Sequence, residues 1–104
     1  MSDYDFQFGA VTASGRKDHG SNGWESRQLS VGHYRITFTN RFENTPTFAV
    51  TPERDETSTN RTPLSPEVVI TRDSERRTQF EVFFRGTTGV AHATQFNFIA
   101  IARD

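Results

Sequence analysis

Side chains that could do chemistry are scattered along this chain. The three histidines, His19, His33 and His92, fall in separate segments, and none has a close His or Cys companion. A zinc site takes three or four convergent ligands at characteristic spacing. The serines lie in polar stretches without a Gly-x-Ser-x-Gly elbow, and the chain has no cysteine. We therefore expect no metal site, no cofactor and no catalytic nucleophile, and we predict that the protein is not an enzyme.

Three other side chains are candidates for contact with a ligand. Trp24 is the only tryptophan and follows the glycine-rich stretch 15–23. Aromatic faces stack on sugar rings and on cations, although a lone tryptophan also serves as a core anchor. Arg85 and His92 flank the turn 86–89, where they could converge on a ligand or remain solvated hairpin residues. We predict a ligand-binding set of Trp24, Arg85 and His92.

The elements that must position these side chains are β-strands. Tyr34, Ile36 and Phe38 alternate with polar residues, which is the period of a half-buried strand. Similar alternation recurs, with turn residues between the runs, and no segment has helical periodicity. The pattern predicts one domain over residues 1–104, an all-β antiparallel β-sandwich of six or seven short strands. The phenylalanines expected to fill its core are Phe38, Phe48, Phe80 and Phe84.

Two stretches lack strand periodicity. The glycine-rich residues 15–23 are expected to form a loop. The polar segment 53–66 is long for a connection inside a compact domain, and we expect it to be a long loop at which the chain crosses between sheets.

Composition excludes several classes of partner. The net charge is −1 and no basic run occurs, so the electrostatic footprint of a nucleic-acid binder is missing. No apolar stretch approaches the roughly 20 residues that span a bilayer, and residues 1–5 do not resemble a signal peptide. We expect a soluble protein made in the cytoplasm, with a place in a virion or export without a cleaved signal left open.

The last predicted strand is apolar on both faces. One face carries Phe96, Phe98 and two alanines, and the other carries Ile99 and Ile101. Such a strand must be covered on both sides. We place Phe83 on the same outer face and predict a homo-oligomer whose interface includes Phe83, Ile99 and Ile101; the alternative is a loop of the same chain folding over them.

Three stretches resemble a known pattern of small trimeric β-sandwich domains. They are residues 31–38 (VGHYRITF), 42–52 (FENTPTFAVTP) and 96–102 (FNFIAIA). These stretches look like the C-terminal domains of bacteriophage tail fibres and are similar to H-type lectins. The resemblance implies a homotrimer used for surface recognition or virion assembly. The Trp-plus-Asp step that precedes the last strand of H-type lectins is replaced here by residues 89–94 (GVAHAT), so no sugar-binding residue carries over.

Two functions follow as expectations. The first is a non-enzymatic recognition module that binds a glycan or another cell-surface ligand as a homo-oligomer. The alternative is a structural subunit of a virion, tail fibre or other protein assembly that has no small-molecule ligand.

Overall fold

The computed structural model describes residues 4–39, 42, 44–53, 64–72 and 77–103, and within these residues it contains eight strands and no helix. The strands are β1 (Tyr4–Val11), β2 (Lys17–Gly20), β3 (Trp24–Ser30), β4 (His33–Phe38), β5 (Thr47–Glu53), β6 (Ser65–Arg72), β7 (Thr78–Arg85) and β8 (Gln95–Arg103). No helix in the described residues could cross a membrane. The predicted all-β class is confirmed, with one or two strands more than expected.

The strands form two four-stranded antiparallel sheets. The first sheet has the order β2-β1-β8-β5 and the second has the order β3-β4-β7-β6. Since β5 and β6 belong to different sheets, the chain does cross between sheets along the segment 53–66, as its sequence indicated. Residues 54–63 of that segment lie outside the described residues.

The glycine-rich stretch differs from the expectation of a loop. Its residues Lys17–Gly20 form β2, an edge strand that pairs with β1 in a register that sets Gly20 opposite Gly9 and His19 opposite Ala10. Lys17, Asp18 and His19 are all exposed, so β2 has no buried face and no hydrophobic alternation to reveal it. β2 is a strand because its backbone pairs with β1. Its own side-chain pattern does not indicate a strand.

Aromatic rings fill the space between the sheets. Phe38, Phe80 and Phe84 are fully buried, as predicted. Phe48 is only partly buried because it lies on the edge strand β5, yet its ring stacks on Phe80 with 3.8 Å between the ring centres. Phe42 is also buried, and its ring meets Phe38 edge to face with 5.0 Å between the ring centres.

The buried side chain of Tyr34 connects two loops to this core through hydrogen bonds. The Tyr34 hydroxyl donates a hydrogen bond to the carbonyl of Ala13 (2.6 Å) and accepts one from the backbone N–H of Thr94 (3.2 Å). Burial raises the pKa of the Tyr34 phenol above its ordinary value, and the hydrogen bond from Thr94 opposes part of this rise. The folded protein therefore holds the phenol proton more tightly than the unfolded chain does.

We expect Tyr34→Phe to destabilise the domain in a pH-dependent manner. At neutral pH the loss is about 1–3 kcal/mol, because the Ala13 carbonyl and the Thr94 N–H lose their partner. The contribution from the raised pKa is fully present below the unfolded pKa of about 10 and is lost as pH rises through the folded pKa. Urea denaturation at a series of pH values should show the stability difference between wild type and Tyr34→Phe shrinking in the alkaline range. A difference that stays constant through that range would contradict the assignment.

Candidate functional site

The outer face of the first sheet carries a row of exposed apolar side chains. Phe6 and Phe8 on β1, and Ile99 and Ile101 on β8, are each between 40% and 51% exposed. The strand register sets Phe6 opposite Ile101 and Phe8 opposite Ile99, and the two phenylalanine rings lie 5.5 Å apart. These four residues, which we call the apolar face, form one contiguous patch.

The apolar face extends toward both neighbouring strands. On β5, Thr47 pairs with Ile101 and Ala49 pairs with Ile99. Toward β2 the surface opens into a shallow depression of about 510 Å³, whose lining includes His19 and Asn97 beside the apolar residues. The patch therefore lies in the middle of the sheet, with polar groups at its border.

The sequence pattern predicted the outward positions of Ile99 and Ile101 but not those of Phe6 and Phe8. The spacing of Phe6 and Phe8 puts them on one side of β1, but the other side, with Gln7 and Gly9, is not visibly more apolar. Gly9 faces the core because the indole of Trp24 packs directly over it: a Cβ at Gly9 would lie 1.9 Å from Trp24 Cζ2. This contact between distant segments turns both phenylalanines outward.

Phe83 does not share the surface of Ile99 and Ile101, in contrast to the sequence expectation. Its strand β7 pairs with β4 and β6, whereas β8 pairs with β1 and β5, so the two strands belong to different sheets. The Phe83 ring stacks on His33 at 4.0 Å, and the guanidinium of Arg85 lies 5.5 Å from its centre. Neighbours on its own sheet thus partly cover Phe83, on the opposite side of the molecule.

Trp24 has the core position that the sequence left open as its alternative role. It is 4% exposed, its indole N–H donates to the carbonyl of Phe8 (3.0 Å), and its ring meets Phe98 edge to face at 4.8 Å. The ammonium group of Lys17 lies 4.2 Å from the ring centre. The ring is enclosed by these contacts, so it does not offer a free face to a ligand.

Arg85 and His92 do lie at the same end of the second sheet. A turn closed by the hydrogen bond from Gly86 N–H to the Val90 carbonyl (2.9 Å) brings Arg85 into a bridge with Ala91. His92 donates its backbone N–H to the Phe84 carbonyl at 3.0 Å. The exposed Arg85 side chain lies over the Phe83 ring. Among the described contacts, the half-buried His92 forms no hydrogen bond or ion pair with Arg85. Their role in ligand contact stays a prediction.

Most side chains on the outer face of the second sheet are polar, and several of them are joined by hydrogen bonds or ion pairs. His33 Nε2 lies 2.7 Å from Glu81 Oε1, and Glu81 Oε2 lies 3.8 Å from a guanidinium nitrogen of Arg35. Gln79 donates its amide N–H to the hydroxyl of Thr37 at 3.2 Å. These contacts join β4 and β7, two strands that are distant in sequence.

A groove of about 330 Å³ lies on this face, and we call it the polar groove. It is lined by Glu25, Ser26, Arg27, Arg35, Thr37 and Gln79. Sequence reasoning missed it, although Arg35 and Thr37 occupy the outward positions of the most regular predicted strand. Their partners on β3 and β7 become visible only once the strands are paired.

Comparison with known proteins yields no relative: no family model, no curated protein and no solved structure matches this chain significantly. The resemblance to tail-fibre domains and H-type lectins therefore stays a prediction.

Proposed function

We propose that this domain is a non-enzymatic recognition module that assembles as a homo-oligomer. Copies associate through the apolar face of the first sheet, and the polar outer face of the second sheet is left for a glycan or another cell-surface ligand. The observation that carries the proposal is the contiguous exposure of Phe6, Phe8, Ile99 and Ile101 on one sheet. Large apolar patches on a protein surface mark sites of association.

The apolar face has the area and the character of a small interface. Full burial of one large apolar side chain contributes about 1.5–3 kcal/mol, and the four side chains of each copy are already about half buried, so each would add roughly half of that amount. The 28 residues of the four strands, at about 3.3 Å per residue and with strands about 4.8 Å apart, give a face of roughly 440 Å² per copy. Two such faces bury roughly 900 Å² in total, which corresponds to a weakly associating interface.

The charges around the apolar face favour a second copy of the same chain as its partner. Arg103 lies at one end of β8, whereas Glu53 pairs with Gln95 at the other end. Glu53 and Arg103 are both exposed. When two faces pack with their strands antiparallel, Arg103 of each copy meets the acidic end of the other. This self-complementarity is the property that a two-fold interface requires.

We expect Ile101→Asp to dissociate the oligomer. Its carboxylate would enter an apolar interface without a partner, at a cost of several kcal/mol. Static light scattering at equal concentrations should give a multiple of 11.8 kDa for the wild type and 11.8 kDa for the variant. The same measurement distinguishes the two copies of a two-fold pair from the three copies that the tail-fibre resemblance implies.

Val69→Asp is the matched control for this experiment. Val69 is 42% exposed, like the residues of the apolar face, but it lies on β6 in the second sheet. Its substitution should leave the mass of the assembly unchanged. A wild type that is monomeric at high micromolar concentration would refute assembly, and an Ile101→Asp variant that unfolds would assign this face to the domain's own core.

The apolar face favours the alternative function equally, because a structural subunit of a virion or fibre also needs to assemble. A glycan array probed with the assembled protein discriminates the two functions. Saturable binding to a defined group of glycans supports the recognition module. An assembled protein that binds no glycan supports the structural subunit.

A further inference from the structure

Two arginines stand side by side in the polar groove. Arg27 on β3 and Arg35 on β4 are direct partners in the antiparallel register. Their strand neighbours Tyr34 and Ile36 face the core, so Arg35 faces outward, and Arg27 is exposed on the same side. Like charges directly opposite each other destabilise a sheet. On the other side Arg35 pairs with Glu81, so only the pairing of Arg27 with Arg35 fails to stabilise the sheet.

The hydrogen-bonding capacity of the pair is largely unused. Arg35 Nε is buried and has no hydrogen-bond partner among the described residues. The approach of Arg35 to Glu81 at 3.8 Å is longer than a hydrogen bond, and His33 occupies the other carboxylate oxygen of Glu81 at 2.7 Å. Arg27 forms no ion pair with any described acidic residue. The remaining guanidinium donors of the two arginines are therefore available to an acceptor from outside the chain.

The rest of the groove carries the groups that recognise hydroxyls. Thr37 supplies a hydroxyl oxygen, Gln79 supplies an amide, and Glu25 supplies a carboxylate at the exposed rim. Ser26 pairs with the core residue Ile36 and its hydroxyl donates to the Gly15 carbonyl at 2.8 Å, so its side chain lies on the inner side of β3. The groove volume of about 330 Å³ lies in the range of small-ligand sites.

We propose that the polar groove binds an acidic saccharide, with Arg27 and Arg35 holding its carboxylate. A guanidinium matches a carboxylate through two parallel hydrogen bonds, and the neighbouring polar groups match sugar hydroxyls. The Glu25 carboxylate at the rim disfavours a more highly charged ligand such as a phosphate chain. This assignment rests on the proposed recognition function and names its ligand class.

The test is an NMR titration of the isotope-labelled full chain with glucuronic acid and with N-acetylneuraminic acid. Glucose, which has the ring of glucuronic acid without the carboxylate, is the matched neutral probe. Each acid should shift amide signals of β3 and β4 saturably, with a Kd of about 1 mM for a single sugar, whereas glucose should not. Absence of saturable shifts with both acids, or equal binding of glucose, would overturn the proposal.

Arg27→Met identifies the site, because it keeps the length of the side chain and removes the guanidinium. We expect the affinity for the acidic sugar to fall about 10-fold to 100-fold, which is the effect of losing a hydrogen-bonded charge pair. Arg27→Lys should restore the charge but only part of the affinity, since an ammonium group cannot form the paired hydrogen bonds. Equal affinities of wild type and Arg27→Met would overturn the assignment.

Arg16→Met is the matched control, with the same substitution at an exposed arginine between β1 and β2 that lies outside the groove. It should leave the affinity unchanged, and a loss equal to that of Arg27→Met would show that the groove is not the site. The glycan array separates this inference from the function beneath it. A protein that binds only neutral glycans retains the recognition function and refutes the acidic-saccharide groove, whereas one that binds no glycan refutes both the groove and glycan recognition.

Discussion

Phe80→Ala is expected to cost about 3–5 kcal/mol, which is the usual loss when a fully buried phenylalanine is truncated. The Phe80 ring lies at the centre of the core. It stacks on Phe48 at 3.8 Å and meets Phe38 edge to face at 5.5 Å. Truncation removes one packing partner from each of the two neighbouring rings. Against a typical total stability of about 5–15 kcal/mol, this loss is large and lowers the urea midpoint strongly.

Urea denaturation followed by circular dichroism measures this effect, and Phe83→Ala provides the control. Phe83 lies on the same strand but faces outward and is only partly buried. Its truncation should cost about 1 kcal/mol, as an outward-facing side chain loses less buried surface. Equal losses for the two variants would show that the inward and outward sides of β7 are assigned incorrectly.

Gly9→Ala is expected to destabilise the domain by about 3 kcal/mol, because the added methyl group competes with Trp24 for the same space. The new Cβ would lie 1.9 Å from Trp24 Cζ2 and within 2.8 Å of two further atoms of the indole. The indole is enclosed and its N–H is bonded to the Phe8 carbonyl, so it cannot shift without losing that bond and its contact with Phe98.

Tryptophan fluorescence reports on this displacement directly, since Trp24 is the only tryptophan. The emission of native Gly9→Ala should shift to longer wavelength, together with a lower urea midpoint. Gly89→Ala serves as the control: Gly89 has a positive φ of 82°, but a Cβ there meets nothing within 4 Å. It should lower stability by only about 1 kcal/mol and leave the emission unchanged. Wild-type emission and stability in Gly9→Ala would contradict the packing of Trp24 over Gly9.

Several features of this protein follow from the sequence alone. The alternation of Tyr34, Ile36 and Phe38 predicted both a strand and its buried side, and all three residues are fully buried. The crossing between sheets along segment 53–66 and the outward placement of Ile99 and Ile101 were also predictable. The strand features depend on the period of two along a single strand, which the backbone geometry of that strand determines, and the crossing depends on the length of the polar segment.

Other features arise only when strands pair. β2 exists because β1 lies beside it, and Trp24 is buried because it packs over Gly9 of another strand. The separation of Phe83 from Ile99 depends on which strands share a sheet, and the polar groove depends on the register that joins Arg27 to Arg35.

The physical reason is the range of the interactions. The side-chain pattern of a strand is a local property, so alternation in sequence tells which residues share a face. The choice of neighbouring strand depends on backbone hydrogen bonds that every segment can form, and on core contacts between residues far apart in the chain. The sequence by itself therefore determined most strands that have a buried face and, where apolar and polar residues alternate as in β4 and β7, the side that enters the core. Only the tertiary structure decided which outward side chains meet, and thus where the apolar face and the polar groove lie.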